Sequence, residues 1–448
     1  MRYTYTIDLA DYWNKLLSIA KNLFRIDLFL ALYLAVHMLQ IAFPSDGSMI
    51  FDEAHYVPAS VMTLQGIAAN AEHPPLPKII GAIGIALIGN NWFGWRFPQV
   101  AMQVAALYLF YLIAKRFLGH PWDLGATVLL AFDTVWFIHG GALLIDMTFF
   151  LFSFLAIEFY LRNRYGWSAV SMGMAFFARE MAVWWFPALA AYHLVKNRKT
   201  LKPTLKLGLR YSLIVLLVLM VCMFAYDMKY QPVKSASVTN IVLRNVVLSP
   251  NGTAVTTTTT TSQSISREVM WNPIDHLMFI ARYHGPEGIV TNASYTPYSY
   301  AWNWIIPNDP FNSPTYYRVD VTARTGDVVM RFIPIWYRSQ ANLALWYGIW
   351  PAVVGLLYVL FKGKEGKDEA FFMLSGILLN YMPWVMLSIL THRMGFNYYM
   401  IYTLPFIALG LASTWKLLPK TIGTKILVAN ILLAAAFFIW FFPVRPMP

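Results

Sequence analysis

Charged and imidazole side chains gather at the borders of apolar segments in this sequence. These residues are Asp52, Glu53, His55, His73, Lys78, Asp146, Arg179, His392 and Arg393. A carboxylate can activate a nucleophile by accepting its proton, while fixed cations stabilise the charge that develops on a leaving phosphate. The residue types are therefore suited to a substitution reaction in which an anionic group departs.

The elements that must position these residues are membrane helices. The chain has 448 residues, of which 58% are hydrophobic and only 12% are charged, whereas soluble domains carry about 25% charged residues. This composition excludes an ordinary cytosolic enzyme and a disordered chain. Because a helix needs about 20 mostly apolar residues to cross a bilayer, we predict about eleven spans. They are 27–44, 97–114, 121–142, 146–161, 166–178, 181–195, 207–227, 340–361, 370–390, 396–415 and 425–443.

The distribution of Lys and Arg predicts the orientation of these spans, because inner loops of membrane proteins are enriched in both residues. The apolar segment 78–89 is too short to span, and we expect an interfacial helix there on the outer surface. Twenty of the 34 basic residues then fall in inner segments. The N-terminus is cytoplasmic, and the residues named above lie at the extracytoplasmic face. The net charge of +12 therefore reflects topology and not a nucleic-acid partner.

Three parts of the chain follow from this topology. Residues 1–227 are expected to form an N-terminal membrane module with a first outer loop at 45–96, residues 228–339 an extracytoplasmic loop, and residues 340–448 the C-terminal membrane helices. The segment before the first span has no signal-peptide pattern and is expected to lie on the inner surface. The large loop holds a threonine run at 256–261 and two N-glycosylation tripeptides, at 251–253 and 292–294.

A one-sided cluster of ionisable residues at the membrane surface indicates a lipid phosphate as the anionic ligand. We expect no metal ion or other cofactor, because the spacing of Asp52, His55 and His73 matches no metal motif. The only cysteine, Cys222, excludes a disulfide framework and a cysteine cluster.

Aromatic residues of the outer loop add a possible sugar-binding surface. Tyr298, Trp302 and Trp304 lie close together in the sequence and could stack on sugar rings. Tryptophan and tyrosine also form the interfacial aromatic belts of membrane proteins, so both interpretations stay open.

Seven segments resemble the protein O-mannosyltransferase family, of the prokaryotic and archaeal type. FDEAHYVPAS (51–60) and EHPPLPK (72–78) are similar to the family's first outer loop, and LLAFDTVWFIHGGALLIDMTFFLFSF (129–154) is similar to its third and fourth spans. ARYHG (281–285) with YTPYSYAWNWIIP (295–307), ANLALWYGIW (341–350) and HRMGFNYYMIYTLPFIALGLA (392–412) resemble later segments in the same order.

The resemblance implies an all-α, polytopic type C glycosyltransferase fold and an enzyme of the dolichyl-phosphate-mannose–protein mannosyltransferase class. Such enzymes transfer mannose, with inversion, from a dolichyl or polyprenyl phosphate to serine or threonine of an acceptor protein. The implied general base is Asp52, with Glu53 positioning the acceptor and Asp146 supporting the site. The residues expected to hold the donor phosphate are Lys78, Arg179, His392 and Arg393. Those expected to contact sugar or acceptor are His55, His73, His284, Tyr298, Trp302 and Trp304.

Some positions depart from the family pattern. Pro77 replaces a glycine, Gly140 and Gly141 replace a Ser-Arg pair, and Arg179 replaces a more usual lysine. Two other functions therefore stay open. An enzyme of the same fold could transfer the sugar to a lipid-linked or N-linked glycan or to another lipid. A transporter or flippase would need ionisable groups in mid-membrane, for which Asp133 and Glu158 are the evidence.

Overall fold

The computed structural model describes residues 25–42, 49–233, 245–248, 254–257, 269–270, 272–284, 298–305, 315–317, 335–339, 341–363, 365–442 and 444–446. The N-terminal segment up to residue 24, both glycosylation tripeptides and the threonine run beyond residue 257 lie outside these residues.

Sixteen α-helices account for most of the described residues. They are α1 (Ile26–Ala42), α2 (Glu53–Leu64), α3 (Leu76–Ile88), α4 (Trp92–Phe117), α5 (Trp122–Ala131), α6 (Thr134–Gly140), α7 (Asp146–Leu161), α8 (Tyr165–Ala178), α9 (Ala182–Lys196), α10 (Leu201–Tyr230), α11 (Pro273–His284), α12 (Leu343–Trp346), α13 (Ile349–Lys362), α14 (Lys367–Thr391), α15 (Leu404–Lys416) and α16 (Lys420–Trp440).

Five helical segments in the described part of the chain are long and apolar enough to cross a membrane: α4, α10, α12 with α13, α14 and α16. Shorter helices lie at the other six predicted spans. The chain is thus a helical membrane protein, and the figure of eleven spans stays a prediction.

Two predicted spans are interrupted. The span at 121–142 breaks at Asp133, whose carboxylate caps α6 by accepting a hydrogen bond from the backbone N–H of Trp136 at 3.0 Å. The span at 396–415 begins as a 3₁₀ helix, Asn397–Tyr402, and α15 starts only at Leu404. Pro405 lies in the first turn of α15, where proline costs no backbone hydrogen bond.

Helix α3 corresponds to the predicted interfacial segment. Its 13 residues extend about 20 Å, whereas the hydrocarbon core is about 30 Å thick. Glycines let α3 approach α2 and α4 closely: a Cβ at Gly81 would lie 2.4 Å from the Ser60 hydroxyl, and one at Gly84 would lie 2.4 Å from the carbonyl oxygen of Gly94. The first outer loop is therefore packed against the membrane helices.

An aromatic core holds the N-terminal end of α7 in place. The Phe150 ring lies 4.8 Å from that of Trp136 on α6 and 5.8 Å from that of Trp185 on α9, and Phe149 lies 5.4 Å from Trp185. All four side chains are buried. Close packing of these aromatic side chains, rather than their removal from water, makes the start of α7 a rigid platform.

Short strands add to the predicted all-α architecture. They are β1 (Asn245–Leu248), β2 (Ala254–Thr257), β3 (Tyr298–Ser299), β4 (Thr315–Tyr317), β5 (Ile335–Ser339), β6 (Gly395–Phe396) and β7 (Val444–Pro446). β1 and β2 form an antiparallel hairpin, β3 pairs with β6, and β5 pairs with both β4 and β7. Backbone pairing therefore joins the predicted outer loop to the C-terminal part of the chain.

Candidate active site

A cavity of about 980 Å³ lies where the first outer loop, the 179–184 segment, α11 and the 393–399 segment meet. Its ionisable and polar lining residues are Asp52, His55, Asn70, Glu72, His73, Arg179, Glu180, His284 and Arg393. Apolar lining residues come from α8, α9, α10, α11 and α14 and include Phe176, Val183, Trp184, Leu219, Leu277, Ile280 and Leu387. A cavity with both kinds of wall suits a lipid that carries a charged head group.

The backbone before Asp52 is strained. Phe51 has a φ of 48°, and the left-handed region costs a bulky residue about 1–3 kcal/mol. Its ring packs edge-on against those of Phe396 and Tyr398, with centroids 5.6 Å apart in both cases. These contacts hold the strained turn, and the turn places Asp52 directly before α2.

The Asp52 carboxylate is available for chemistry. Asp52 lines the cavity, and its side chain does not cap α2, although aspartate often has that role. Burial raises the pKa of Asp52, while the charges of His73, His55 and Arg179 act in the opposite direction. A carboxylate with a raised pKa is a stronger base than an ordinary aspartate.

Glu53, the next residue, is fully buried and is not among the residues that line the cavity. Its two oxygens accept two hydrogen bonds each. Arg96 donates at 2.9 and 2.7 Å, and the backbone N–H groups of Ile50 and Leu143 both donate at 2.7 Å. Glu53 therefore ties the start of α2 to α4 and to the turn before α7, which fixes the position of Asp52. A direct role in positioning the acceptor stays a prediction.

Asp146 is also buried, is not among the residues that line the cavity, and contacts Arg179, which does line it. It accepts a hydrogen bond from the Tyr402 hydroxyl, pairs with His139 Nδ1 at 2.6 Å, and lies 3.2 Å from Arg179 Nη1. Burial alone would lower the pKa of Arg179, but the charge of Asp146, together with the smaller effects of Tyr402 and Glu180, raises that pKa above its ordinary value. Asp146 thus keeps Arg179, which lines the cavity, charged and oriented.

Steric crowding explains why glycine occupies positions 140 and 141. A Cβ at Gly140 would lie 1.9 Å from the Gln103 side chain, and one at Gly141 would lie 2.6 Å from that of Gln40. The cation that the family pattern places near Asp146 is absent at these positions, and His139 supplies a partner for the carboxylate instead.

Lys78, in the first turn of α3, is buried and does not line the cavity. Its ammonium group donates to the carbonyl oxygens of Asn70 and, at 2.8 Å, His73. Burial lowers the pKa of Lys78 to about 7, against the opposite effects of Glu72 and Glu180. In the structure Lys78 shapes the cavity wall, and its contact with a donor phosphate stays a prediction.

Residues 71 and 72 lie between the two residues whose carbonyl oxygens Lys78 contacts. Their own carbonyl oxygens accept hydrogen bonds from histidine side chains. His276 Nε2 lies 2.9 Å from the carbonyl oxygen of Ala71, and His284 Nε2 lies 3.0 Å from that of Glu72. The other nitrogen of His276 lies 2.7 Å from the Asp227 carboxylate on α10. We call these interactions of Lys78, His276 and His284 with residues 70–73 the carbonyl clamp. It joins α11 of the large outer loop to the first outer loop.

The segment after α14 contributes Arg393 to the cavity. Arg393 donates to the carbonyl oxygen of His284 at 2.7 Å, and its guanidinium carbon lies 5.8 Å from the Trp384 ring. His392 has a φ of 52°, is exposed, and is not among the cavity-lining residues. Arg393 therefore lies at the site, whereas His392 does not.

Trp302 and Trp304 are not among the described residues that line the cavity, and the side chain of Tyr298 lies outside the described part of the structure. Trp304 is buried against Trp384, Trp302 stacks on Tyr300, and the backbone of Tyr298 pairs with that of Phe396. Other aromatic side chains line the cavity instead: Phe51, Tyr56, Trp184, Tyr283, Trp384, Phe396, Tyr398 and Tyr399. The Trp384 and Tyr399 rings stack at 4.3 Å with an angle of 3° between their planes.

Sequence reasoning did not assign roles to Glu180, Arg96, His276 and Asp227. A buried acidic partner could have been predicted for Arg96, because a cation inside an apolar helix needs such a partner. Burial alone would raise the pKa of Glu180, but the combined effects of Arg179, His284 and His73 lower the pKa below its usual range. Glu180 therefore adds an ionised carboxylate to the cavity.

Comparison with known proteins connects this geometry to a family. The family model described as dolichyl-phosphate-mannose-protein mannosyltransferase matches residues 72–224. This part of the chain is similar to the protein O-mannosyltransferases. A polyprenol-phosphate-mannose–protein mannosyltransferase of Mycobacterium tuberculosis is 37% identical over 116 residues, which cover 23% of this chain and 22% of that protein. The enzyme of the same name from Mycolicibacterium smegmatis is 33% identical over 136 residues, or 28% and 26% of the two chains. The matched segments thus span about a quarter of these relatives.

Solved structures confirm the predicted type C glycosyltransferase fold. The Saccharomyces cerevisiae protein O-mannosyltransferase Pmt1–Pmt2 complex bound to the sugar donor matches with a TM-score of 0.65, at 11% identity, over 93% of this chain and 90% of that one. ArnT from Cupriavidus metallidurans, bound to undecaprenyl phosphate, matches with a TM-score of 0.56, at 15% identity, over 92% and 64%. At these identities the likeness establishes the fold.

Proposed function

We propose that this protein transfers mannose from a dolichyl or polyprenyl phosphate to a serine or threonine hydroxyl of an acceptor protein, with inversion, at the extracytoplasmic face. One observation carries the proposal. Asp52 and the guanidinium groups of Arg179 and Arg393 line one cavity that also has an apolar wall. The relatives named above, two of which carry this activity in their names, support the same reaction.

The reaction assigns a task to each of these groups. Asp52 accepts the proton of the acceptor hydroxyl as its oxygen forms a bond to the anomeric carbon of mannose. The bond between that carbon and the phosphate oxygen breaks, and the polyprenyl phosphate leaves with the electron pair. Arg179 and Arg393 stabilise the charge that develops on it. Attack from the face opposite the phosphate inverts the anomeric configuration, through an oxocarbenium-like transition state as in glycoside hydrolysis.

The apolar wall would receive the prenyl chain of the donor. Val183 of α9 is exposed, and Phe176 and Leu387 are half-buried in the free protein, so their surfaces are available to a lipid. The prenyl chain would pack against these side chains in place of membrane lipid.

Transport is disfavoured by the partners of the two mid-span acids. Asp133 caps α6 and accepts a hydrogen bond from Trp346 Nε1 at 2.8 Å. Glu158 pairs with Arg116 at 3.0 Å and with Arg162 at 2.6 Å. Both carboxylates are engaged in structural interactions, whereas a gate needs acids that exchange partners.

The test is a transfer assay with the purified chain in liposomes. Radiolabelled polyprenyl phosphate mannose is mixed with a serine- and threonine-containing peptide, and the label is followed into peptide that releases mannose by β-elimination. We expect label in that fraction. Label in an organic-soluble glycolipid, or in a glycan that resists β-elimination, would support the other acceptors and overturn a protein acceptor. Movement of label across the bilayer without any transfer would support a transporter.

A further inference from the structure

Three potential metal ligands converge in the cavity from separate segments of the chain. They are His73 of the first outer loop, Glu180 between α8 and α9, and His284 at the end of α11. Their ligand atoms all lie within 4.8 Å of one another. His73 Nδ1 is 3.7 Å from Glu180 Oε2, and His284 Nε2 is 3.8 Å from Glu180 Oε1.

These separations are too long for hydrogen bonds, which join N and O atoms at 2.7–3.2 Å. Two of the atoms concerned, His73 Nδ1 and Glu180 Oε2, are buried and have no hydrogen-bond partner among the described residues. Buried polar atoms are normally satisfied. An ion between the three side chains would satisfy them, because metal bonds of about 2.1 Å at tetrahedral angles place ligand atoms about 3.4 Å apart.

The charge of the cavity favours the same conclusion. Asp52, Glu72 and Glu180 contribute three carboxylates to the lining, whereas Arg179 and Arg393 contribute two guanidinium groups. The lining therefore has one more carboxylate than guanidinium group, and one of these carboxylates, that of Glu180, lies 3.5 Å from Arg179 Nε. A divalent cation held by Glu180 would reverse the balance at the point where the phosphate has to bind.

The chemistry of the ligands selects the kind of cation. Two imidazoles and one carboxylate are typical of zinc sites with an open fourth position, whereas magnesium and calcium prefer oxygen ligands alone. Metal binding requires a neutral imidazole. On binding, His284 Nε2 exchanges its hydrogen bond to the carbonyl oxygen of Glu72 for the metal.

We propose that His73, Glu180 and His284 bind one divalent transition-metal ion of the zinc type. The fourth position of this ion faces the cavity and takes a phosphate oxygen of the lipid donor. The second statement rests on the proposed function, whereas the first does not.

The experiment uses the full chain in detergent micelles, without donor or acceptor. The protein is stripped with a chelator and titrated with ZnCl₂, and bound zinc is counted by mass spectrometry after desalting. We expect one equivalent per chain. Co²⁺ in place of Zn²⁺ should give the intense visible bands of a four-coordinate ion with nitrogen ligands. Absence of both signals in the wild-type protein would overturn the site without any variant.

Three variants, H73Q, E180Q and H284Q, should weaken Zn²⁺ binding at least about tenfold, since even outer-shell partners of a metal site have effects of that size. H55Q is the matched control, because His55 lines the same cavity outside the cluster, and it should bind zinc as the wild type does. Equal binding by E180Q and the wild type would contradict the proposal.

A second titration tests the link to the donor. Polyprenyl phosphate should bind the zinc-loaded protein more tightly than the stripped protein, by a factor of about 5 to 150. Equal affinities would overturn the phosphate-facing position. Since neither titration requires mannose transfer, failure of the metal site and failure of the transferase assay would be told apart.

Discussion

The guanidinium group of Arg96 donates two hydrogen bonds to the carboxylate of Glu53, at 2.9 and 2.7 Å, and neither side chain is more than 1% exposed. Glu53 is the neighbour of Asp52, the proposed base, while Arg96 comes from the first turns of α4. The position of the proposed base therefore depends on a buried ion pair that lies outside the cavity lining.

Breaking this ion pair should destabilise the protein. In Glu53→Gln the Arg96 charge stays buried without its partner, which costs about 3–5 kcal/mol, and we expect a clear fall in Tm in detergent. The matched control is the exposed pair of Arg25 and Asp27, whose side chains are 69% and 63% exposed. Loss of an exposed pair changes stability by at most about 1 kcal/mol, so Asp27→Asn should leave Tm almost unchanged. Similar shifts in the two variants would contradict the structural role of Glu53.

Asp146 should act on donor binding through Arg179. Asp146→Asn removes the charge that orients Arg179, and hydrogen bonds to charged groups contribute about 1.5–3 kcal/mol. We expect kcat/KM for the lipid donor to fall about 10- to 100-fold, with KM for the acceptor peptide unchanged. Steady-state kinetics with each substrate varied in turn would measure this. An effect confined to the acceptor KM would show that Asp146 acts elsewhere.

The pair of His276 and Asp227 should hold α11 in place. His276→Gln keeps one hydrogen-bonding group but loses the contact with Asp227, so the carbonyl clamp should open more often. We expect faster hydrogen exchange at residues 272–284, measured by mass spectrometry, and a raised KM for the donor. Lys229→Gln is the control, because Lys229 is an exposed residue of the same helix as Asp227. Unchanged exchange in His276→Gln would refute the role of the clamp.

The transfer reaction should lose activity in acid at a higher pH than an ordinary aspartate would cause. Asp52 must be ionised to accept a proton, and burial raises its pKa. Activity is therefore complete above the raised pKa and is lost as pH falls through it. A pH profile of kcat/KM should show an acid limb above the ordinary value of about 3.9. Thermal melts at each pH separate this loss of activity from unfolding. An acid limb at the pKa of an ordinary aspartate would contradict the buried environment of Asp52.

Much of the fold could be predicted from apolar segments, because membrane spans have a fixed length requirement. The breaks in two spans could not. One oxygen of the Asp133 carboxylate accepts a hydrogen bond from the backbone N–H of Trp136. The other oxygen accepts a hydrogen bond from the side chain of Trp346, which lies more than 200 residues later in the sequence. Partners at such separations leave no local pattern.

The candidate site was predicted in part. Asp52, Arg179 and Arg393 line the cavity, whereas Lys78 and Asp146 are buried next to it and act on residues that do. The sequence gives the charge of a side chain. It does not show whether that side chain already interacts with a carbonyl oxygen or a guanidinium group from a distant part of the chain. The cluster of His73, Glu180 and His284 was missed for the same reason, since its members come from three segments with no shared spacing.

The most direct test of the account is the transferase activity of Asp52→Asn. This substitution keeps the size of the side chain but removes the base, and general-base assistance is typically worth about 10²–10⁴-fold. We expect transfer from radiolabelled polyprenyl phosphate mannose to fall by that factor, with an unchanged Tm and unchanged donor binding. Asp275→Asn, an aspartate of α11 outside the cavity lining, should transfer at the wild-type rate. Full turnover by Asp52→Asn would contradict the central claim that Asp52 is the base.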